Sequence, residues 1–281
     1  MNKRFPPIPQ FVEPYPDESC YSILCRCMVR AAMSTGRFCQ ALFGKQKYLS
    51  YFLWQPFRNE EVSKWFDDAL SRVQTYLLEH SCIPYRYPFM NRRRRDDIHY
   101  WYIGEELSLG YYQGITRDLG YRLWTKRFLF YCPECVKNDR KTYGETYWHM
   151  IQQLPGVYIC PIHAVPLEQS AILMSNHWID LHPAEYWLPN SEPRRETFSY
   201  EDLQLAMDSK WMMENGWKTE IKLGSLLEGL TNWQFEQAGA KTCRFTNQHI
   251  VKNETVYHIL LANMKGKSIS YYAERKEIID N

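Results

Sequence analysis

Tyr131-Cys132-Pro133-Glu134-Cys135 and Ile159-Cys160-Pro161-Ile162-His163 are two versions of one phrase. Each sets a cysteine before a proline and places a second metal-binding side chain three positions after the first. Two ligands at that spacing grip one ion from a tight turn whose amides face the thiolates, and two such turns complete a tetrahedron. A set of three cysteines and one histidine is a closed zinc site, and thiolates favour zinc or an iron–sulfur cluster over calcium or magnesium. The competing reading is a redox Cys-x-x-Cys beside a coincidental pair, which requires a strand–helix setting and no second ligand pair. The repetition favours one zinc ion held by Cys132, Cys135, Cys160 and His163. Four protein ligands leave no open position for water, so the ion is structural and no catalytic residue is expected. Its binding energy is then folding energy for the segment around it.

Between the ligand pairs runs Tyr143-Gly144-Glu145-Thr146-Tyr147-Trp148-His149-Met150-Ile151-Gln152-Gln153-Leu154-Pro155-Gly156-Val157. Leu154 to Val157 reads as a turn into a strand that delivers Cys160, with Gly156 giving backbone freedom after Pro155. Trp148 is expected to pack over the metal module. His149 could be a fifth ligand but more often such a residue is an ordinary core or surface histidine.

Upstream, five prolines in residues 1–16 predict an extended arm. Pro16-Asp17-Glu18-Ser19 reads as a helix start, with Ser or Asp as the cap. The run Ser19 to Arg30 has apolar residues at helical spacing, and Gly36 is a plausible stop. A second short helix is expected from Ser34 to Phe43, ending at Gly44. Two short helices joined by a tight turn containing glycine fit a helix-turn-helix. Glu60 to Leu78 repeats Val62, Phe66, Leu70, Val73 and Leu77 as an amphipathic helix. The prolines of residues 80–90 predict an irregular packed segment.

Downstream, residues 188–198 read as a linker. Ser199-Tyr200-Glu201-Asp202 resembles a capping box. Helices are expected at 200–214, 224–237 and 247–263, with Gly216 and Gly239 as stops, and 268–279 as a last helix or tail. The expected fold class is mainly α: an N-terminal helix-turn-helix-like region over 1–125, a central zinc-ribbon-like module over 126–187, and a C-terminal helical region over 188–281.

The 281 residues carry 45% apolar and 23% charged side chains, with aromatics alone at 16%, which excludes disorder as the main state. A net charge of +2, from 34 basic and 32 acidic residues, excludes a polycation that holds nucleic acid by bulk charge. Nucleic-acid contact must then come from local groups: Arg92, Arg93, Arg94 and Arg95, and Arg26, Arg30 and Arg37 near the first helix pair. The bland reading of the four-arginine run is a solvated face, since Asp96 and Asp97 follow at once. No apolar run is long enough for a membrane span, and the start lacks a secretory core. A cytoplasmic location follows as the expectation, with cysteines reduced. Cys20, Cys25, Cys27, Cys39, Cys82 and Cys243 then read as small buried apolar residues. His80 and Cys82 are near neighbours without a recognisable triad partner.

Four places in the chain carry a resemblance. They are Pro16-Asp17-Glu18-Ser19-Cys20-Tyr21-Ser22-Ile23-Leu24-Cys25-Arg26; Leu42-Phe43-Gly44; His80-Ser81-Cys82-Ile83-Pro84-Tyr85-Arg86-Tyr87-Pro88-Phe89; and the cysteine module through Gly144-Glu145, Tyr147-Trp148, Gln153-Leu154-Pro155-Gly156-Val157 and Cys160-Pro161-x-His163 to Pro166-Leu167. In order and spacing over about residues 7–167 the chain resembles the TniQ/TnsD family of transposon target-selection proteins. The resemblance implies a non-enzymatic adaptor that binds target DNA or docks on an RNA-guided complex. It also implies recruitment of an AAA+ ATPase regulator, which brings in the transposase. A second copy of the chain is a further candidate partner, and no membrane partner is expected. The alternative from the residues alone is a zinc-containing DNA-binding regulator that acts by itself.

Overall fold

The computed structural model describes residues 12–43, 79–87, 126–154, 156–174, 180–192 and 197–216. The helix expected at 60–78, the arginine run at 92–95, Cys243, and the expected helices and tail beyond 216 lie outside the described residues. The chain divides into two compact units, Met1–Cys82 with Lys126–Thr197, and Ile83–Thr125 with Phe198–Asn281. The segment expected as a module of its own, 126–187, shares its unit with residues 1–82. The described residues are partly helical, with one small two-stranded sheet among them.

Helix α1 spans Cys20–Arg30. Ser19 is its cap: the residue is extended, and its side chain accepts a hydrogen bond from the Ser22 amide at 3.2 Å, satisfying one of the free first-turn donors. Every residue from Cys20 to Met28 is buried, so α1 is a core helix with no solvent face along most of its length. The cysteines Cys20, Cys25, Cys27, Cys39 and Cys82 are buried, as apolar packing residues are. Burial pushes the Cys27 thiol up to about 12 and that of Cys39 up to about 11.

The end of α1 differs from expectation. Gly36 does not stop it; Gly36 lies inside the second helix, α2, Thr35–Phe43. The break is at Ala32, which takes a left-handed backbone with φ of 51°. The Ala32 amide bonds to the Val29 carbonyl at 2.9 Å and the Met33 amide to the Met28 carbonyl at 3.2 Å. That pair of bonds is a Schellman ending built on alanine where glycine is usual. Two helices joined by a four-residue turn are therefore present, with the break four residues earlier than the glycine suggests.

Strand β1, Phe128–Tyr131, pairs antiparallel with β2, Glu168–Leu173, through Phe128↔Leu173, Phe130↔Gln169 and Tyr131↔Glu168 with an irregularity after Phe128. Between them lies helix α3, Pro133–Tyr143, which the sequence reading missed. Its signals are all present: Pro133 at the first position, Glu134 in the first turn, Arg140 and Lys141 in the last, and Gly144 just past the end at φ of 79°. A one-turn helix, α4, spans Ala184–Trp187. The start of the expected linker is tied down. Arg140 donates to the Leu188 carbonyl at 2.8 Å and pairs with Glu185 at 2.9 Å.

In the second unit, residues expected to be irregular include a short helix, α5, Ile83–Arg86, and this packs on helix α6, Tyr200–Asn215. The capping box of α6 is as expected: Ser199 accepts from the Asp202 amide and Asp202 accepts from the Ser199 amide. Gly216 follows in right-handed conformation, so its backbone freedom is not used.

Candidate metal centre

The first ligand pair is built by a strand entering a helix. Tyr131 ends β1, and Cys132 is the cap of α3, its sulfur accepting from the Cys135 amide at 3.5 Å. Pro133 fixes the first helical turn and lacks the amide that would otherwise go unsatisfied. Cys135 therefore returns to the same side as Cys132. The second pair is a narrow knuckle. The Cys160 amide bonds to the Val165 carbonyl at 2.8 Å, and the Ala164 amide closes the turn on the Cys160 carbonyl at 2.9 Å. Ala164 is left-handed, with φ of 51°. The strand expected to deliver Cys160 is a single bridge, Ile159 to Pro166. Gly156, at φ of 78°, supplies the backbone freedom expected of it.

The two turns bring one ligand atom from each of Cys132, Cys135, Cys160 and His163 within 4.8 Å of one another. The three cysteines are buried and the histidine is half-buried. His163 Nδ1 lies 3.6, 3.4 and 3.6 Å from the sulfurs of Cys132, Cys135 and Cys160, and the Cys135 and Cys160 sulfurs are 3.8 Å apart. A tetrahedral ion with metal–sulfur bonds of about 2.3 Å and a metal–nitrogen bond of about 2.0 Å separates two sulfurs by about 3.8 Å. It separates sulfur from nitrogen by about 3.5 Å. The donor set thus fits one four-coordinate ion, and a multi-iron cluster would spread its ligands further. Hydrogen bonds from the Cys132 and Cys135 thiols draw the Cys160 thiol below its ordinary range.

Residues outside the candidate ligand set brace the site. The Gln152 side-chain oxygen accepts from the Cys132 amide at 3.1 Å. Gln153 clips β1 in both directions, accepting from the Phe130 amide at 3.0 Å and donating to its carbonyl at 2.8 Å. Lys126 is buried and donates to the carbonyls of Gln152 and Val157. Burial drives its pKa well below the ordinary lysine value.

His149 is a core residue, only 5% exposed, and lies outside the ligand cluster. Its Nε2 is 3.0 Å from Asp139 and its Nδ1 is 3.5 Å from Asp17, with the Tyr147 ring stacked at 4.2 Å. Burial opposes its charge, but the hydrogen bond to Asp139 and the nearby Asp17 carboxylate prevail and lift its pKa to about 10. Trp148 is fully buried and pinned between segments: its amide donates to Ser22 Oγ at 3.0 Å and its indole to the His182 carbonyl at 2.7 Å.

The arginines near the first helix pair are used in different ways. Arg26, expected as a phosphate contact, is buried and directed inward. Its guanidinium lies 2.7 Å from Glu18 and 3.0 Å from Glu145, over the Tyr15 ring at 3.6 Å. Burial pushes the Glu18 carboxyl up to about 7 against the pull of Arg26. Arg30 is largely exposed but also reaches Glu145, at 2.8 Å. Arg37 is exposed on α2. Arg92, Arg93, Arg94 and Arg95 lie outside the described residues. Glu18, Arg26 and Glu145 all belong to the recurrent motifs quoted above, and together they fasten α1 to the metal-site segment.

The TniQ family model matches residues 9–167 of this chain. Over 184 residues the chain is 25% identical to "Transposon Tn7 transposition protein TnsD" of Escherichia coli, covering 63% of this chain and 34% of that protein. The chain thus spans about a third of the length of that relative. The matched stretch runs from the arm before α1 through the second ligand pair, takes in more than half of the chain, and includes all four metal-site residues, so the chain belongs to the TniQ family.

Proposed function

We propose that this chain is a target-selection adaptor in transposition. It marks a target by binding DNA or by docking on an RNA-guided complex, and it recruits an AAA+ ATPase that regulates the transposase. The observation that carries this reading is the family match over residues 9–167. The Cys132, Cys135, Cys160 and His163 set supports a scaffold role within it. Four protein donors surround the position that one ion would fill, and thiolate-rich tetrahedral donors favour Zn²⁺. The ion would hold the two turns together and supply no reactive water. The α1–α2 pair supports a helix-turn-helix-like reading. In that arrangement the second helix carries the contacts, and Arg37 and Gln40 are exposed on α2. Arg30 and the arginines at 92–95 are further candidates for phosphate contact, whereas Arg26 serves the fold.

The test is a pull-down of purified protein, with zinc counted by elemental analysis, against the AAA+ ATPase encoded beside it, with and without DNA. One zinc per chain together with ATPase capture is the expected result. Zinc without capture, with or without DNA, overturns the adaptor reading and leaves a DNA-binding regulator acting alone. Cys160→Ser is expected to lose the zinc, and full occupancy in that variant would falsify the ligand assignment.

A further inference from the structure

We infer that Asn138 is the positioning partner of His163, accepting a hydrogen bond from Nε2–H and so committing Nδ1 to the metal. This rests on the reading of Cys132, Cys135, Cys160 and His163 as a metal site. The imidazole has two nitrogens, and here they face different surroundings. Nδ1 is turned to all three cysteine sulfurs, at 3.4 to 3.6 Å. Nε2 is turned away from them, 2.9 Å from the Asn138 side-chain amide. A nitrogen that gives its lone pair to a metal carries no proton, so the ring proton sits on the other nitrogen. With Nδ1 as ligand, Nε2–H is a donor and needs an acceptor.

Asn138 can meet that need. The amide has a donor end and an acceptor end of nearly equal size. Nδ2 faces the ring in the structure, the pairing that suits an unprotonated Nε2. A half-turn of the amide puts its oxygen in the same place, the pairing that suits Nε2–H. The residue therefore fits His163 in either tautomer and favours metal on Nδ1 once the amide presents oxygen. Its position is set by the helix that carries the first ligand pair. Asn138 lies three residues after Cys135 on α3, so both project from one face. One rigid element thus carries two of the thiolates and orients the imidazole that comes from the other turn. An acceptor at Nε2–H also makes the ring a better ligand, the usual role of such partners in metal sites.

The test compares full-length wild type with Asn138→Leu, which removes the acceptor, and Asn138→Asp, which can only accept. Thr142→Asp, one turn along α3 and exposed, controls for added charge. Zinc affinity is read by competition with a chromophoric chelator, and the nitrogen bound to metal by ¹⁵N shifts of His163. Asn138 is exposed, so water can replace it in part, and the expected loss in Asn138→Leu is about tenfold, the low end for such partners. Asn138→Asp is expected to bind zinc at least as tightly as wild type, by a margin larger than Thr142→Asp shows. The ¹⁵N shifts are expected to report Nδ1 as the ligand. Equal affinity of wild type and Asn138→Leu overturns the inference while the metal site stands, as does zinc on Nε2. A wild type that holds no zinc overturns the metal-site reading and this inference with it.

Discussion

Among the described residues, Arg26 and His149 are buried basic groups that sit against buried or part-buried carboxylates, Arg26 on Glu18 and His149 on Asp139 and Asp17. Glu18 is fully buried, and among the described residues its Oε1 has no hydrogen-bond partner, so Arg26 at its Oε2 is what makes ionisation tolerable. Arg26→Leu leaves that carboxylate without its partner. The expected loss is about 3–5 kcal/mol of folding free energy, read by urea unfolding, with part recovered in the double variant Arg26→Leu, Glu18→Gln. A single variant as stable as wild type would show that the pair contributes nothing. His149 gives a pH signature. Its folded pKa, about 10, is above the ordinary 6.5, so its stabilisation is complete below pH 6.5 and is lost as pH rises through about 10. Glu18 acts in the same direction lower down: its folded value of about 7 exceeds 4.5, so folding weakens as pH rises between those two values. Unfolding measured from pH 7 to pH 10 should show wild type losing stability over that range and His149→Gln losing much less. Parallel curves would remove His149 from the account.

At the scale of elements, α1 and α2 show where sequence patterning stops being informative. The Ser19 start of α1 is legible because a capping side chain acts on amides two or three residues away. Its end is not, because Ala32 has no intrinsic preference for a left-handed backbone and adopts one only under the Schellman bonds and packing that hold it. Gly36, the obvious breaker, is overridden by the helix around it. Helix α3 shows the opposite case. Pro133, Glu134, Arg140, Lys141 and Gly144 together announce a helix, but the two cysteines at its start draw attention to a knuckle instead. The grouping of Cys132, Cys135, Cys160 and His163 was legible from spacing, whereas the contacts that Asn138, Gln152 and Gln153 make there were not, because which polar side chains reach the site depends on tertiary placement. The strained alanine yields a test. Ala32 is exposed and its φ is 51°, a conformation that glycine adopts without steric penalty. Ala32→Gly should therefore raise stability by about 0.5–1 kcal/mol, offset in part by glycine's greater freedom in the unfolded chain. A fall in melting temperature would mean that the left-handed turn is not under strain.

For the unit as a whole, the metal site and the N-terminal helix are one structure, although more than a hundred residues of chain separate them. The arm and α1 lean on the segment between the ligand pairs through backbone and side chain alike. The Met150 amide bonds to the Asp17 carbonyl at 2.7 Å, and the Ser19 amide to the Trp148 carbonyl at 2.9 Å. Tyr147 donates to the Pro16 carbonyl at 3.0 Å, and Tyr15 and Arg26 both reach Glu145. That segment begins after one ligand pair and ends at the other, so an ion joining the pairs in the folded state would tie both of its ends and add its binding free energy to folding. Removing the ion should therefore loosen α1 as well as residues 132–163, even though α1 supplies no ligand. Hydrogen exchange with and without a zinc chelator measures this. The amides of α1 and of residues 146–154 are expected to lose protection together on chelation, by a common factor that reports one opening event. The amides of α6, in the other unit, serve as the internal comparison. Loss of protection confined to residues 132–163, with α1 unchanged, would show that α1 holds its place through contacts outside that segment, among them the Tyr21 contacts with the Asp180 carbonyl and the His182 amide and the bond from the Cys20 amide to the His80 carbonyl. The ion would then be a local clasp, and the contact proposed above for the α1–α2 pair should survive its removal. Joint loss predicts the reverse: a chelated protein in which the helix pair itself has come loose, so that the contact proposed for it is lost as well.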